Sequence, residues 1–283
     1  MNIERLEEIL RAPGAPGHEK PVRDVLFGLL EKTADECRVD RMGNLIFHRK
    51  GEGPRVMYTA HMDEIALIVT RVDKNGFIRF STLGGFDPET LVSQQVVVHG
   101  KEDIPGVIGK KPVHIQSNEE KKKKTELSNL FIDTGLKGEQ VKELVPEGTV
   151  ITRAKQIIEL GDTLSATSMD NRISCYILAE ALLSDVKSSS DIHAVFTVQE
   201  EVGIRGARVA AQAIQPDIGI NLDVTLANDL PGVNEQDYCT DLGKGTAVKV
   251  MDKSIVCTPS LVNFLANLAE ENQIPCQREV LTA

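Results

Sequence analysis

The amino-acid sequence predicts an α/β fold: a doubly wound, mostly parallel sheet interrupted by a small inserted β-barrel. Three observations carry that expectation. Strand-like apolar runs alternate with helical periodicity over residues 172–272, the signature of βαβ units. A helix, turn, strand, strand order fills residues 1–62. Between these stretches the texture changes to short β-branched runs separated by Gly, Pro, Asn and Asp. The expected organisation is a discontinuous domain over residues 1–64 and 162–283, with a β domain inserted at residues 65–161.

Each element has its local reason. Residues 1–10 read as an acidic amphipathic helix, ended by the breaker-rich Ala12-Pro13-Gly14-Ala15-Pro16-Gly17, and a second helix lies near residues 21–32. Residues 38–49 and 55–60 alternate as strands. In the insertion, residues 66–72, 77–81, 95–99 and 106–108 are expected strands, and the lysine run at 121–124, beside Glu119 and Glu120, is expected to be a solvated loop. Helices return at 172–183, 205–213 and 260–272, alternating with strands at 191–198 and 217–222.

A chain of 283 residues can bury the core of one large domain with an insertion. The formal net charge is -10 and the basic residues are dispersed apart from the lysine run, which argues against a nucleic-acid partner. The first residues lack the sections of a signal peptide, and no apolar run reaches the length of a membrane span. Cys37, Cys175, Cys239, Cys257 and Cys276 are widely separated and form no C-x-x-C pair. They read as reduced thiols of a cytoplasmic protein rather than as metal ligands.

The chemistry is concentrated where expected strands end, the place where open parallel sheets bind ligands. His61-Met62-Asp63 follows one strand; the pair suits a metal-binding imidazole whose far nitrogen is held by a partner, although a lone histidine also serves as a structural residue. Ser168-Met169-Asp170-Asn171-Arg172 opens a helix, where Asp170 can equally be a cap. Gln199-Glu200-Glu201-Val202-Gly203 closes an apolar strand with two adjacent carboxylates, which repel unless cations or water neutralise them. Asp223 closes the next strand, where a turn role is the plainer alternative. Taken together, one imidazole and several carboxylates at neighbouring strand ends suit a paired divalent-metal site.

These motifs, in order, resemble the TET-type family of di-metal aminopeptidases, which includes glutamyl and deblocking aminopeptidases and proteins labelled cellulase M or endoglucanase. The resemblance also covers Gly17 and Glu19, Lys111-Pro112-Val113-His114 and Leu130-Phe131-Ile132-Asp133. It implies a zinc-exopeptidase-like fold and two divalent ions, zinc or cobalt or else manganese. His61 and Asp223 would hold one ion, Glu201 the other, and Asp170 would bridge them. Glu200 would be the general base and Asp63 would orient His61. A cis peptide after Asp170, peptide substrates and self-assembly from dimers to a dodecamer are implied as well. In the family a further histidine completes the second ion's shell, whereas no histidine follows His193 here and the chain stops in mid-pattern at Ala283. The expectation is a chain lacking its closing segment.

Two other functions compete. A metal-free glycoside hydrolase would use paired carboxylates, but such sites present aromatic platforms and this chain has no Trp and three Tyr. A catalytically silent assembly subunit is the other, favoured by the missing histidine.

Overall fold

The computed structural model describes residues 1–184 and 186–282, which pack as two compact units, Met1–Asp223 and Val224–Ala283. In the first unit, the side chain of Asn2 accepts from Arg5 N at 3.1 Å and caps α1 (Ile3–Arg11), which buries Leu6, Ile9 and Leu10. Helix α2 (Lys20–Leu30) starts with a proline in its first turn, where no amide is needed, and buries Val22, Leu26 and Leu30. The alternating stretch expected at 38–49 is a hairpin, β1 (Glu36–Val39) and β2 (Leu45–Arg49). Its break has a specific cause: Asp40 Oδ1 accepts from the amides of Met42, Gly43 and Asn44 at 2.8–3.0 Å, so the chain turns there.

After β3 (Arg55–His61) the chain enters the insertion: β4 (Ala66–Val72), β5 (Ile78–Leu83), α3 (Pro88–Leu91), β6 (Gln95–His99), β7 (Asp103–Lys110), β8 (Leu130–Asp133), α4 (Gly138–Leu144) and β9 (Val150–Arg153). Six of these strands close a barrel in the order β4-β5-β8-β7-β6-β9, with every pairing antiparallel. Alternate residues fill its interior, among them Leu67, Val69, Ile78, Val96, Val98, Ile132 and Ile151. Closure leaves the barrel no open sheet edge. A short hairpin, β10 (Ile157–Leu160) and β11 (Thr163–Ala166), leads to α5 (Met169–Leu183), β12 (Asp191–Thr197), α6 (Arg205–Ile214) and β13 (Ile218–Asn221).

The main sheet has the order β1-β2-β12-β3-β13. Strands β12, β3 and β13 run parallel, and β2 and β1 complete it as antiparallel strands. Helices cover both faces, as doubly wound sheets require. On one face, Leu45, Phe47, Ala60, Ala194 and Phe196 pack against α1, α2 and α5. On the other, Ile46, Met57 and Val195 meet Ala210 and Ile214 of α6. The second unit contains β14 (Thr246–Met251), α7 (Pro259–Glu271) and β15 (Cys276–Val280), with β14 and β15 parallel. Among the described residues no helix is long and apolar enough to cross a membrane.

Asn44, fully buried, ties the sheet to α6. It donates to Gly206 O at 3.0 Å and accepts from Val198 N at 3.1 Å, while Gly206 N donates to Val198 O at 3.0 Å. A Cβ at Gly206 would collide with Asn44 Oδ1 and the Val198 carbonyl, so only glycine permits this approach. Gly206→Ala should cost about 1–3 kcal/mol of stability, the usual penalty of overpacking. A lowered urea midpoint is the expected result, and an unchanged one would show that the contact is slack.

Candidate metal centre

Parallel pairing aligns three strand ends. Thr197 stands opposite His61, and Asn221 opposite Thr59. The pairing continues past the strands, Met62 N donating to Thr197 O at 2.7 Å and Leu222 N to Thr59 O at 2.8 Å. His61, the Glu200–Glu201 pair and Asp223 therefore leave the sheet at one edge. Asp170 joins them from α5, because Asn171 Nδ2 donates to Leu222 O at 2.9 Å. The Asp170–Asn171 peptide bond is cis, and the regular helical turns follow it.

The structure brings all six predicted residues together. His61, 3% exposed, places Nε2 at 3.2 Å from Asp170 Oδ1, 3.8 Å from Asp223 Oδ1 and 3.9 Å from Glu200 Oε2. Ligating atoms of His61, Asp170 and Asp223 lie within 4.8 Å of one another, as do those of His61, Glu200 and Glu201. The Nδ1 of His61 hydrogen-bonds the carbonyl oxygen of Asp63 at 3.1 Å, with the Asp63 carboxylate 3.6 Å away. That carboxylate is fully buried and accepts from Glu200 N at Oδ1 and Glu201 N at Oδ2, both at 3.0 Å. Glu19 acts one residue earlier: its buried Oε1 accepts from Gly17 N at 2.8 Å and Gln199 N at 3.1 Å.

A second buried network lies beside the cluster and was not legible as chemistry in the sequence. Glu64, 1% exposed, receives Lys155 Nζ at 2.5 Å on both oxygens, Gly14 N at 3.1 Å and the hydroxyl of Ser168. Arg172, wholly buried, donates to the carbonyls of Met62, Ile9 and Ala12 at 2.6–2.9 Å. Its guanidinium fills the space where a Cβ of Gly14 would stand, which explains that glycine. The one available signal was the adjacency of Glu64 to Asp63 and of Arg172 to Asn171.

Electrostatics tests whether a cation fits. Burial pulls His61 down, but the Asp170 carboxylate, then Asp63 and Asp223, outweigh it and lift the imidazolium to about 11. Burial, followed by Asp170, raises Glu201 to about 7. Glu200 is raised too, first by burial. Both glutamates resist ionising first because they are partly buried and then because other carboxylates crowd them, with His61 opposing the rise. A divalent cation relieves that crowding, and the mixed nitrogen and oxygen donors suit one.

Known proteins share this chain's sequence and fold. The profile of the M42 glutamyl aminopeptidase family matches residues 43–283. The lysyl aminopeptidase of Pyrococcus furiosus is 36% identical over 285 residues, spanning 99% of this chain and 81% of that protein. An aminopeptidase from the archaeon Desulfurococcus kamchatkensis has a similar structure, with a TM-score of 0.94 at 34% identity, covering 99% of this chain and 80% of that one. The Pyrococcus horikoshii TET1 peptidase, which can assemble into a tetrahedron or a large octahedral shell, gives a TM-score of 0.86 at 31% identity, covering 99% and 84%. By its profile match, its identity to these relatives and its fold, the chain belongs to the M42 glutamyl aminopeptidase family, hydrolases that act on peptide bonds.

Proposed function

We propose that the chain is a metal-dependent aminopeptidase that releases N-terminal residues from peptides at the carboxylate cluster. One observation carries the reading: His61, Asp170, Glu200, Glu201 and Asp223 converge where β3, β12 and β13 end. His61, Asp170 and Asp223 would hold one ion, and Asp170 with Glu201 a second. Asp170 is the bridge in this scheme, supported by its contact with His61 and by its being, after burial, the main influence raising Glu201. Bound there, Zn²⁺, Co²⁺ or Mn²⁺ would lower the pKa of a water and polarise the scissile carbonyl.

Glu200 is the proposed general base. Burial raises its pKa, His61 opposes the rise, and Asp223, Asp63 and Asp170 add to it. A carboxylate shifted this way is matched to take a proton from the attacking water and return it to the departing amine. Asp63 positions both glutamates by holding their amides.

Residues 1–64 and 162–283 would form the catalytic domain, and the inserted residues 65–161 would contribute assembly contacts. The assembling relative supports a homo-oligomer, from dimer to dodecamer. The five free cysteines support a cytoplasmic setting.

Glu200→Gln should keep its metal and lose about 10²–10⁴ in kcat, the range for removed acid–base help. Elemental analysis beside a peptide-release assay checks this, and full activity with full metal would refute the base assignment. Asp170→Ala should empty both metal positions, whereas Asp223→Ala should mainly reduce one; equal losses would contradict the bridge. Glu19 uses one oxygen for both its amides, so Glu19→Gln can reproduce them and should keep kcat near the parent value. Asp63 uses both oxygens, so Asp63→Asn must turn an NH₂ towards an N–H and should lose about 10²-fold in kcat through misplacement of Glu200. Similar kcat for the two variants would show that these amide contacts do not position the base.

A further inference from the structure

A second group of ligating side chains stands at the opposite end of the same sheet. His48 on β2 and His193 on β12 are direct partners in the antiparallel pairing, and Asp191 lies two residues before His193 on the same face of β12. The two imidazoles stack with centroids 4.1 Å apart and planes 13° from parallel. Both turn Nε2 to one carboxylate: His48 lies 2.6 Å from Asp191 Oδ1 and His193 3.3 Å from Oδ2. All three side chains are largely covered, with exposures of 20%, 18% and 12% for His48, Asp191 and His193.

We propose that His48, Asp191 and His193 form a separate site for a borderline divalent ion, Zn²⁺, Ni²⁺ or Cu²⁺, that staples the antiparallel strand β2 to the parallel core. The donor set is two imidazole nitrogens and one carboxylate oxygen, all within 4.8 Å of one another. That chemistry selects borderline ions over Mg²⁺ and Ca²⁺, which prefer oxygen alone. Tetrahedral zinc at its usual bond lengths spaces its donors by roughly 3.3 Å. The His193–Asp191 pair already has that spacing, and His48 must swing outward from 2.6 Å to match it. The ligands sit on hydrogen-bonded strands, which fixes their bases in place.

The surrounding charges leave room for a cation. Glu36 Oε2 faces His48 Nδ1 at 3.7 Å and is itself paired with Lys50 at 2.5 Å. Arg55 Nε reaches Asp191 Oδ2 at 3.2 Å and is the one competing Lys or Arg on the carboxylate among the described residues, with Oδ1 facing His48. The Nδ1 of His193 is buried without a hydrogen-bond partner. Without an ion, the same atoms make a carboxylate shared by two imidazoles and a guanidinium.

The test uses the whole chain, stripped by chelator and reloaded with Zn²⁺ or Cu²⁺. The expected result is that His48→Gln and His193→Gln each bind one Zn²⁺ fewer per chain than the parent, with peptidase turnover unchanged. The Cu²⁺ electron paramagnetic spectrum of the parent should contain a species coupled to two imidazole nitrogens, which the carboxylate cluster with His61 alone does not supply. Each variant should lose that species. Equal zinc content in parent and variants overturns the proposal, and so does a parent spectrum without two-nitrogen coupling, a result independent of how the variants fold. Because turnover is read separately, failure here is distinguishable from failure of the aminopeptidase reading.

Discussion

The carboxylate cluster depends on one buried charge. Asp63 has no solvent, and a carboxylate in that position is costly unless donors surround it. Its donors are the amides of Glu200 and Glu201, which lie beyond the whole insertion in sequence. The loop cannot leave without stranding the charge, so the loop is held. Glu19 repeats the device on Gln199, whose backbone is left-handed with φ 53°. Three successive amides are thereby pinned by two buried carboxylates. The side chains of Glu200 and Glu201, which are only half-buried, are aimed by a backbone that has little freedom.

Beneath this cluster the Glu64, Lys155, Ser168 and Arg172 network joins segments that are remote in sequence. Burial pulls Lys155 down to about 8 even though Glu64 opposes the shift, a measure of how dry the pair is. Buried ion pairs of this kind add little net stability over apolar packing, but they specify geometry. Here they set Met62 and Ser168, the neighbours of Asp63 and Met169, with Arg172 spanning three carbonyls at once.

The sequence made the chemistry at the strand ends legible. His61, Asp170, Glu200, Glu201 and Asp223 stand out because polar clusters interrupt apolar runs where a strand should end, and that contrast is local. The barrel was readable for the same reason: short β-branched runs and breakers need no partner to be seen. The supports were not readable, because their logic is pairwise and distant. Lys155 looks like any loop lysine until Glu64 is placed beside it, and Asp40 looks like an ordinary polar residue in an alternating stretch until its carboxylate collects three amides. The antiparallel direction of β2 against β12 has no local signature either, since alternation is blind to the direction of the neighbouring strand.

The order of the strands has a consequence for the protein's manufacture. Strand β12 completes its pairing with β3 only across the whole insertion, and β13 follows later still. A chain emerging from the ribosome can close its barrel early, since all six barrel strands lie between β3 and β10. It then carries a finished barrel and an unfinished sheet. Until Asp223 has been synthesised, His61 lacks its full set of carboxylates. The carboxylate cluster is thus assembled only as the sheet itself is completed, later than the barrel that interrupts it.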